Sequence, residues 1–290
     1  MLSQGLLKIL LSGALLITIL IASAQKINEP RTTKEWEAPY QPFRIVGNLY
    51  WVGTYDLGCF LITTSIGNIL INTGLAGSYA QIKKNIETLG FKYADIKILL
   101  TTQVHYDHVG AMAAIKKETG ARFYVDEKDA DVLQKGGVTD YELSRYGTSF
   151  MPIKPDRLLH NNDTISLGEM NIVILHHPGH TKGSCSYLFT VKDEQRSWKV
   201  LLANMPTIVT DRKFDSIPEY PEIEKDFANT FQLMRNISFD IWLASHASQF
   251  NMHSKHKPGD PYNPLAFSDH EGYAKALNDL EKQFQVKAGK

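Results

Sequence analysis

The chain reads as a single α/β domain in which two mixed sheets pack face to face, helices cover both outer faces, and one core is shared. Three observations predict this. Strand-like and helical segments follow in an order that runs through strands with helices and then does so again, with no long Pro/Gly-rich linker between the rounds. A chain of 290 residues can bury a substantial core in one large layered domain. Histidines fall where predicted strands meet loops, the places a layered scaffold uses for chemistry.

The elements follow in order. After a linker-like segment to Pro42, Phe43 to Val52 alternates apolar and polar residues. Leu57 to Thr63 and Asn68 to Asn72 follow as strands around a Ser65-Ile66-Gly67 turn. Ser78 to Leu89 has helical spacing through Ile82, Ile86 and Leu89, and Gly90 stands where a helix end favours a left-handed residue. Ile96 to Thr102 is a strand, Ala111 to Glu118 a helix stopped by Gly120, Ala121 to Asp126 a strand, and Glu127 to Gln134 a short helix. Gly136 to Asp156 carries mixed turn signals and reads as a surface excursion. The second round has strands at Thr164 to Leu167, Ile172 to His176, Ser184 to Val191 and Trp198 to Ala203, with Gly168-Glu169 and Asp193-Glu194 as hairpin turns. Glu222 to Arg235 is helical, Phe239 to Ser245 a strand, and His270 to Gln285 an amphipathic helix.

Bulk composition narrows the function. Lys plus Arg and Asp plus Glu both number 31, so the formal net charge is zero and no basic stripe is available for nucleic acid. Lys8, the apolar stretch Ile9 to Ala22, and the small residues Ala22-Ser23-Ala24 predict a signal peptide over residues 1–24, leaving 25–290 as one domain exported to a periplasm. A retained anchor is the rival reading, but the stretch is shorter than the roughly twenty residues a bilayer requires. Cys59 and Cys185 are too few for a disulfide scaffold and read as buried thiols. No heptad or large apolar helical face demands a partner, so a monomer is expected.

The densest chemistry lies in Gln103-Val104-His105-Tyr106-Asp107-His108, directly after the strand at Ile96 to Thr102. Two imidazoles, a carboxylate and an amide oxygen crowd one loop. His180, in His177-Pro178-Gly179-His180-Thr181-Lys182-Gly183, and His246, after Ile241 to Ser245, add two more imidazoles at strand ends. Zinc favours imidazole nitrogen and carboxylate oxygen, and a catalytic zinc leaves a position open for water. His105, Asp107, His108, His180 and His246, with Gln103 as a marginal donor, suffice for one complete site and a poorer second one. Any one histidine alone is more often a packed or surface residue than a ligand; the set is what argues for metal. His160, His253, His256 and His270 lie in polar surroundings and read as solvated; His176 and His177 stand at a strand end near the site, where either could back a ligand, and neither is promoted to that role.

With these residues assembled, the chain resembles the metallo-β-lactamase superfamily, and within it subclass B3 and the GOB-type branch, over about Phe43 to Phe250. The segments that carry the resemblance are Val52 to Leu57, Asn68 to Gly74, the hexad with Gln in place of the usual first histidine, Leu201 to Pro206, and Ala244 to Phe250. The resemblance implies an αβ/βα sandwich with zinc at one edge between the sheets. It implies a first zinc site of His105 and His180, with Gln103 where the family has its third histidine, and a second of Asp107, His108 and His246. An amide oxygen is neutral and a poorer zinc donor than imidazole, so the first site should bind more weakly and one zinc, at the second, should suffice.

The activity so implied is zinc-dependent hydrolysis of the β-lactam amide, giving resistance to penicillins, cephalosporins and carbapenems. Hydroxide on zinc, or a water oriented by Asp107, would attack the carbonyl while zinc stabilises the departing nitrogen. Thr207 would donate to the substrate carboxylate, and Trp36 and Tyr40 would either wall the cleft or pin the N-terminal arm. Thioesterase- and lactonase-type relatives usually carry an acid on the strand reading Ala203-Asn204-Met205, and none is present here; Met205 reads as a core residue. The alternatives are a lactone or thioester hydrolase of the same fold, and an exported zinc-binding protein without turnover.

Overall fold

A computed structural model describes residues 27–290, so the expected signal peptide lies outside the described residues; among the described residues no helix is long and apolar enough to cross a membrane. The N-terminal arm holds α1 (Lys34–Glu37), and a meander follows: β1 (Phe43–Val46), β2 (Leu49–Trp51), β3 (Phe60–Thr64) and β4 (Gly67–Ile71). Then come α2 (Tyr79–Thr88), β5 (Ile96–Leu100), α3 (Tyr106–Val109), α4 (Met112–Thr119), β6 (Arg122–Asp126), α5 (Ala130–Gln134) and β7 (Arg157–Leu159). The second round holds β8 (Thr164–Leu167), β9 (Met170–His176), β10 (Cys185–Lys192), β11 (Ser197–Ala203), α6 (Ile223–Arg235), β12 (Ile241–Ala244), α7 (Met252–Lys255) and α8 (His270–Lys287).

Strands β1 to β7 form one sheet in sequence order, and β12-β11-β10-β9-β8 form the other. Antiparallel meanders open the first sheet, and parallel pairing of β4, β5, β6 and β7 completes it through helical crossovers. The predicted αβ/βα sandwich is therefore present, although the two rounds are unequal, with seven strands against five among the described residues. The main core lies between the sheets and beneath α6 and α8, where Trp51, Phe60 and Ile71 join Tyr187, Leu202, Trp242 and Phe231. A second apolar cluster packs Ile82, Ile86, Met112 and Ile115 of α2 and α4 onto the other face of the first sheet, through Leu70, Leu99 and Phe123. Each such side chain, fully buried, contributes about 1.5–3 kcal/mol through removal from water.

Four expectations need correction. Phe43 to Val52 is a hairpin and not one strand, because Gly47 and Asn48 turn the chain and pair Phe43 with Trp51. The supposed linker contains α1, whose Trp36 reaches the interior edge of the site. Gly136 to Asp156 is no plain surface excursion: Asp140, Tyr141, Glu142, Phe150 and Ile153 are buried. His256 is buried rather than solvated, stacked on Phe43 with ring centroids 3.7 Å apart.

Candidate metal centre

The hexad leaves β5 at the edge where the two sheets meet. Cross-sheet bonds hold that edge closed: Cys185 N donates to Thr102 O at 2.8 Å, the Tyr187 hydroxyl donates to Thr101 O at 2.7 Å, and the Thr102 and Ser245 hydroxyls lie 2.9 Å apart. β5 and β12 therefore deliver the hexad and His246 to one place, and the β9–β10 connection brings His180 beside them. A cavity of about 240 Å³ forms there, lined among others by Gln103, His105, Asp107, His108, His180 and His246. Every residue expected at the site is thus brought together, and Trp36 and Thr207 also line this cavity. Tyr40 does not; its buried hydroxyl donates to His256 O at 3.1 Å and pins the arm.

Asp107, His108 and His246 form the tighter trio. Asp107 Oδ2 lies 3.2 Å from His108 Nε2 and 3.3 Å from His246 Nε2. Bonds of about 2.0–2.1 Å at tetrahedral angles hold ligand atoms roughly 3.3 Å apart, so Asp107 stands at zinc spacing from both imidazoles, and all three donor atoms lie within 4.8 Å of one another. The carboxylate oxygen and imidazole nitrogens also match the donor preference of zinc. Burial opposes ionisation of Asp107, but the adjacent His108 and His246 outweigh it and hold its pKa well below the ordinary range. Burial likewise opposes the charge on His246, yet Asp107 and Asp56 on its two sides raise its pKa to about 9.

Gln103, His105 and His180 face the same cavity without a carboxylate among them. Gln103 Oε1 is buried and has no hydrogen-bond partner among the described residues, the condition of an acceptor open to a bound cation. His105 Nε2 bonds Asp140 Oδ2 at 3.2 Å, and His180 Nδ1 donates to Thr207 O at 2.8 Å, with the Thr207 hydroxyl 2.9 Å away. One nitrogen of each ring is so engaged, which fixes the orientation of the ring, and the two ring centroids are 4.9 Å apart. Burial, and then the nearby His105, push the His180 pKa down to about 3, keeping it neutral and able to donate its lone pair.

Sequence reasoning missed the acids behind the ligands. Asp56 accepts from His246 Nδ1 at 3.1 Å, from Trp36 Nε1 at 3.1 Å and from Ser248 N at 2.8 Å. It thereby ties the arm, the loop before β3 and the end of β12 to one ligand. Asp140 plays the corresponding part for His105 and also accepts from Glu142 N and Leu143 N. Both sit in loops with no periodic pattern; the only available signal for Asp56 was its place inside Val52 to Leu57. His176 and His177 bond Asp126 Oδ2 and Ser186 Oγ, away from the candidate ligands. Cys59 and Cys185 are buried free thiols.

Fold and site define a metallohydrolase class of chain: a two-sheet α/β sandwich whose sheet edges converge on a cluster of metal-type donors. The metallo-beta-lactamase superfamily model matches residues 59–193. The metallo-beta-lactamase GOB-18 from Elizabethkingia meningoseptica superposes with TM-score 0.90 at 56% identity, covering 91% of this chain and 98% of that one. The class B3 di-zinc metallo-beta-lactamase LRA-12 from an Alaskan soil metagenome superposes with TM-score 0.89 at 59% identity, covering 91% and 100%. Curated relatives match over shorter stretches: a probable metallo-hydrolase of Burkholderia pseudomallei is 31% identical over 113 residues, so that the chain spans 36% of its length. The chain belongs to the metallo-β-lactamase superfamily, in its class B3, GOB-type branch.

Proposed function

We propose that this chain is an exported zinc-dependent hydrolase of β-lactams, working with one zinc at Asp107, His108 and His246 and taking a second, more weakly, at Gln103, His105 and His180. The observation that carries the reading is the 56–59% identity to class B3 and GOB-type enzymes over essentially their whole length, together with a trio at zinc spacing. Zinc, when bound, supplies Lewis acidity that makes hydroxide available near neutral pH and neutralises charge developing on the substrate.

The chain's own residues supply the rest. Hydrolysis adds one water: its oxygen bonds to the lactam carbonyl carbon, the C–N bond breaks, and the ring nitrogen takes a proton. Asp107, kept ionised by His108 and His246, accepts a hydrogen bond from the attacking water and so orients its lone pair. Asp56 holds His246 in one orientation, Asp140 holds His105, and the Thr207 carbonyl holds His180. Trp36 lies 5.2 Å from the His246 ring, walls the cavity and limits access of bulk water. The Thr207 hydroxyl, on the cavity wall, donates to the substrate carboxylate. Asn204, in place of an acid on this wall, leaves no bridging carboxylate of the kind expected of thioesterase-type relatives.

The test is metal analysis with β-lactam hydrolysis by the purified protein, with and without a chelator. Chelator-sensitive opening of penicillin and carbapenem rings, far faster than cleavage of lactones or thioesters, is expected. The reverse ranking, or tight zinc binding without turnover of any of them, overturns the reading. Export is tested separately by the N-terminal residue of the protein recovered from its host.

A further inference from the structure

One buried acid touches neither trio and yet joins the two loops of the weaker one. Asp129, between β6 and α5, is 1% exposed. Its Oδ2 accepts from Val104 N at 3.1 Å and from the Thr181 hydroxyl at 2.7 Å, and its Oδ1 accepts from Gly183 N at 2.8 Å. Val104 stands between Gln103 and His105, and Thr181 directly follows His180. The close approach requires glycine at 183, since a Cβ there would lie 2.7 Å from the Asp129 side chain. Burial pushes the Asp129 pKa up to about 6, against the pull of its hydrogen bonds. Its hydrogen-bond donors are all neutral groups, so at neutral pH their dipoles stabilise a costly buried charge.

From this arrangement we infer that Asp129 is a positioning residue for the glutamine trio: it clamps the loop carrying Gln103 and His105 to the loop carrying His180, and so sets how tightly that trio takes zinc. The inference rests on the two-trio reading above. A carboxylate suits the task because three donors from two loops converge on it, whereas an amide of the same shape offers one acceptor oxygen and must abandon either Gly183 or the Val104 and Thr181 pair. The weaker trio has most to lose from misplacement, because its third donor is a neutral amide. The aspartate trio, carried by α3 and the end of β12, has no bond to Asp129 and should be indifferent to it.

The experiment titrates zinc into metal-free protein against a chromophoric chelator, for the wild type, Asp129→Asn and Thr181→Val, with the visible spectrum of the cobalt(II)-loaded forms as a second readout. Two equivalents should bind the wild type. Asp129→Asn should weaken the second by about 10- to 100-fold, the scale for groups that orient metal ligands. It should leave the first within about threefold and remove only the second-site component of the cobalt spectrum. Thr181→Val, which removes one of the three donors and keeps the volume, should lose less in the same direction. Equal weakening of both equivalents in the two variants would make Asp129 a general stabiliser and overturn the inference. A second equivalent bound equally well by all three proteins would overturn it too, while leaving the two-trio reading intact. A wild type that never takes a second equivalent defeats that reading, and the inference with it.

Discussion

The two trios share a cavity and a loop and differ in charge. In one, Asp107 brings a carboxylate within 3.3 Å of two imidazole nitrogens, and His246 is backed by a second carboxylate, Asp56. In the other, Gln103 brings a neutral oxygen, His180 is backed by the carbonyl of Thr207, and the carboxylate bonded to this trio, Asp140, acts through the far side of His105. A divalent cation leaving water is compensated by ligand charge at the first and mainly by dipoles at the second. On the proposed reading the two trios hold zinc with unequal strength, and the inequality traces to one side chain in the hexad.

The comparison breaks most sharply at Asp107. Asp107→Ala should remove tight zinc binding and lower kcat by at least about a thousandfold, the several kcal/mol a catalytic metal supplies. Metal content and steady-state rates check this, and an active, metal-loaded variant would make the glutamine trio the working site. Asp56→Ala should weaken the first equivalent by roughly 10- to 100-fold while leaving the second in place; chelator competition separates the two. Gln103→His should strengthen the second equivalent by about tenfold, near 1.4 kcal/mol, because imidazole replaces an amide oxygen. Unchanged stoichiometry under limiting zinc would show that the amide is not what separates the trios.

Smaller effects sharpen the boundary. Thr207→Val keeps the carbonyl that holds His180 and removes only the hydroxyl, so KM for a carboxylate-bearing β-lactam should rise about fivefold to tenfold with kcat little changed, the worth of one ordinary hydrogen bond of about 1 kcal/mol. A change in zinc affinity instead would place the hydroxyl in metal binding. His176→Ala should leave both equivalents untouched and cost about 1 kcal/mol or less in stability. Burial lowers the His176 pKa, but its bond to Asp126 outweighs this and raises it. The stabilising contribution of the pair is therefore complete below the ordinary histidine range and is lost as pH rises through the raised value. Thermal melts across that range should show the wild type and His176→Ala converging as pH rises.

Much of the fold was legible because it is written in periodicity. The helix through Ile82 and Ile86, its stop at Gly90, and the long strands of the second sheet follow from local spacing and turn chemistry, and lie within a residue or two of where those signals put them. The hairpin hidden in Phe43 to Val52 was not legible, since alternation continues across a turn. The burial of Gly136 to Asp156 was not legible either, because turn-rich composition describes local backbone and says nothing of what lies over it. His256 misled for the same reason: polar neighbours in sequence do not reveal the face of Phe43 stacked on it in space.

Residue types and short spacing were enough to name the candidate donors, and the inequality proposed for Gln103 follows from the same side-chain chemistry. Tertiary structure alone decided which atoms come within 3.3 Å, and which carboxylates stand behind them. Asp56, Asp129 and Asp140 lie far along the chain from the ligands or ligand loops they hold, and each acquires its role only where strand ends from both sheets close on one edge and exclude water from the bonds they make.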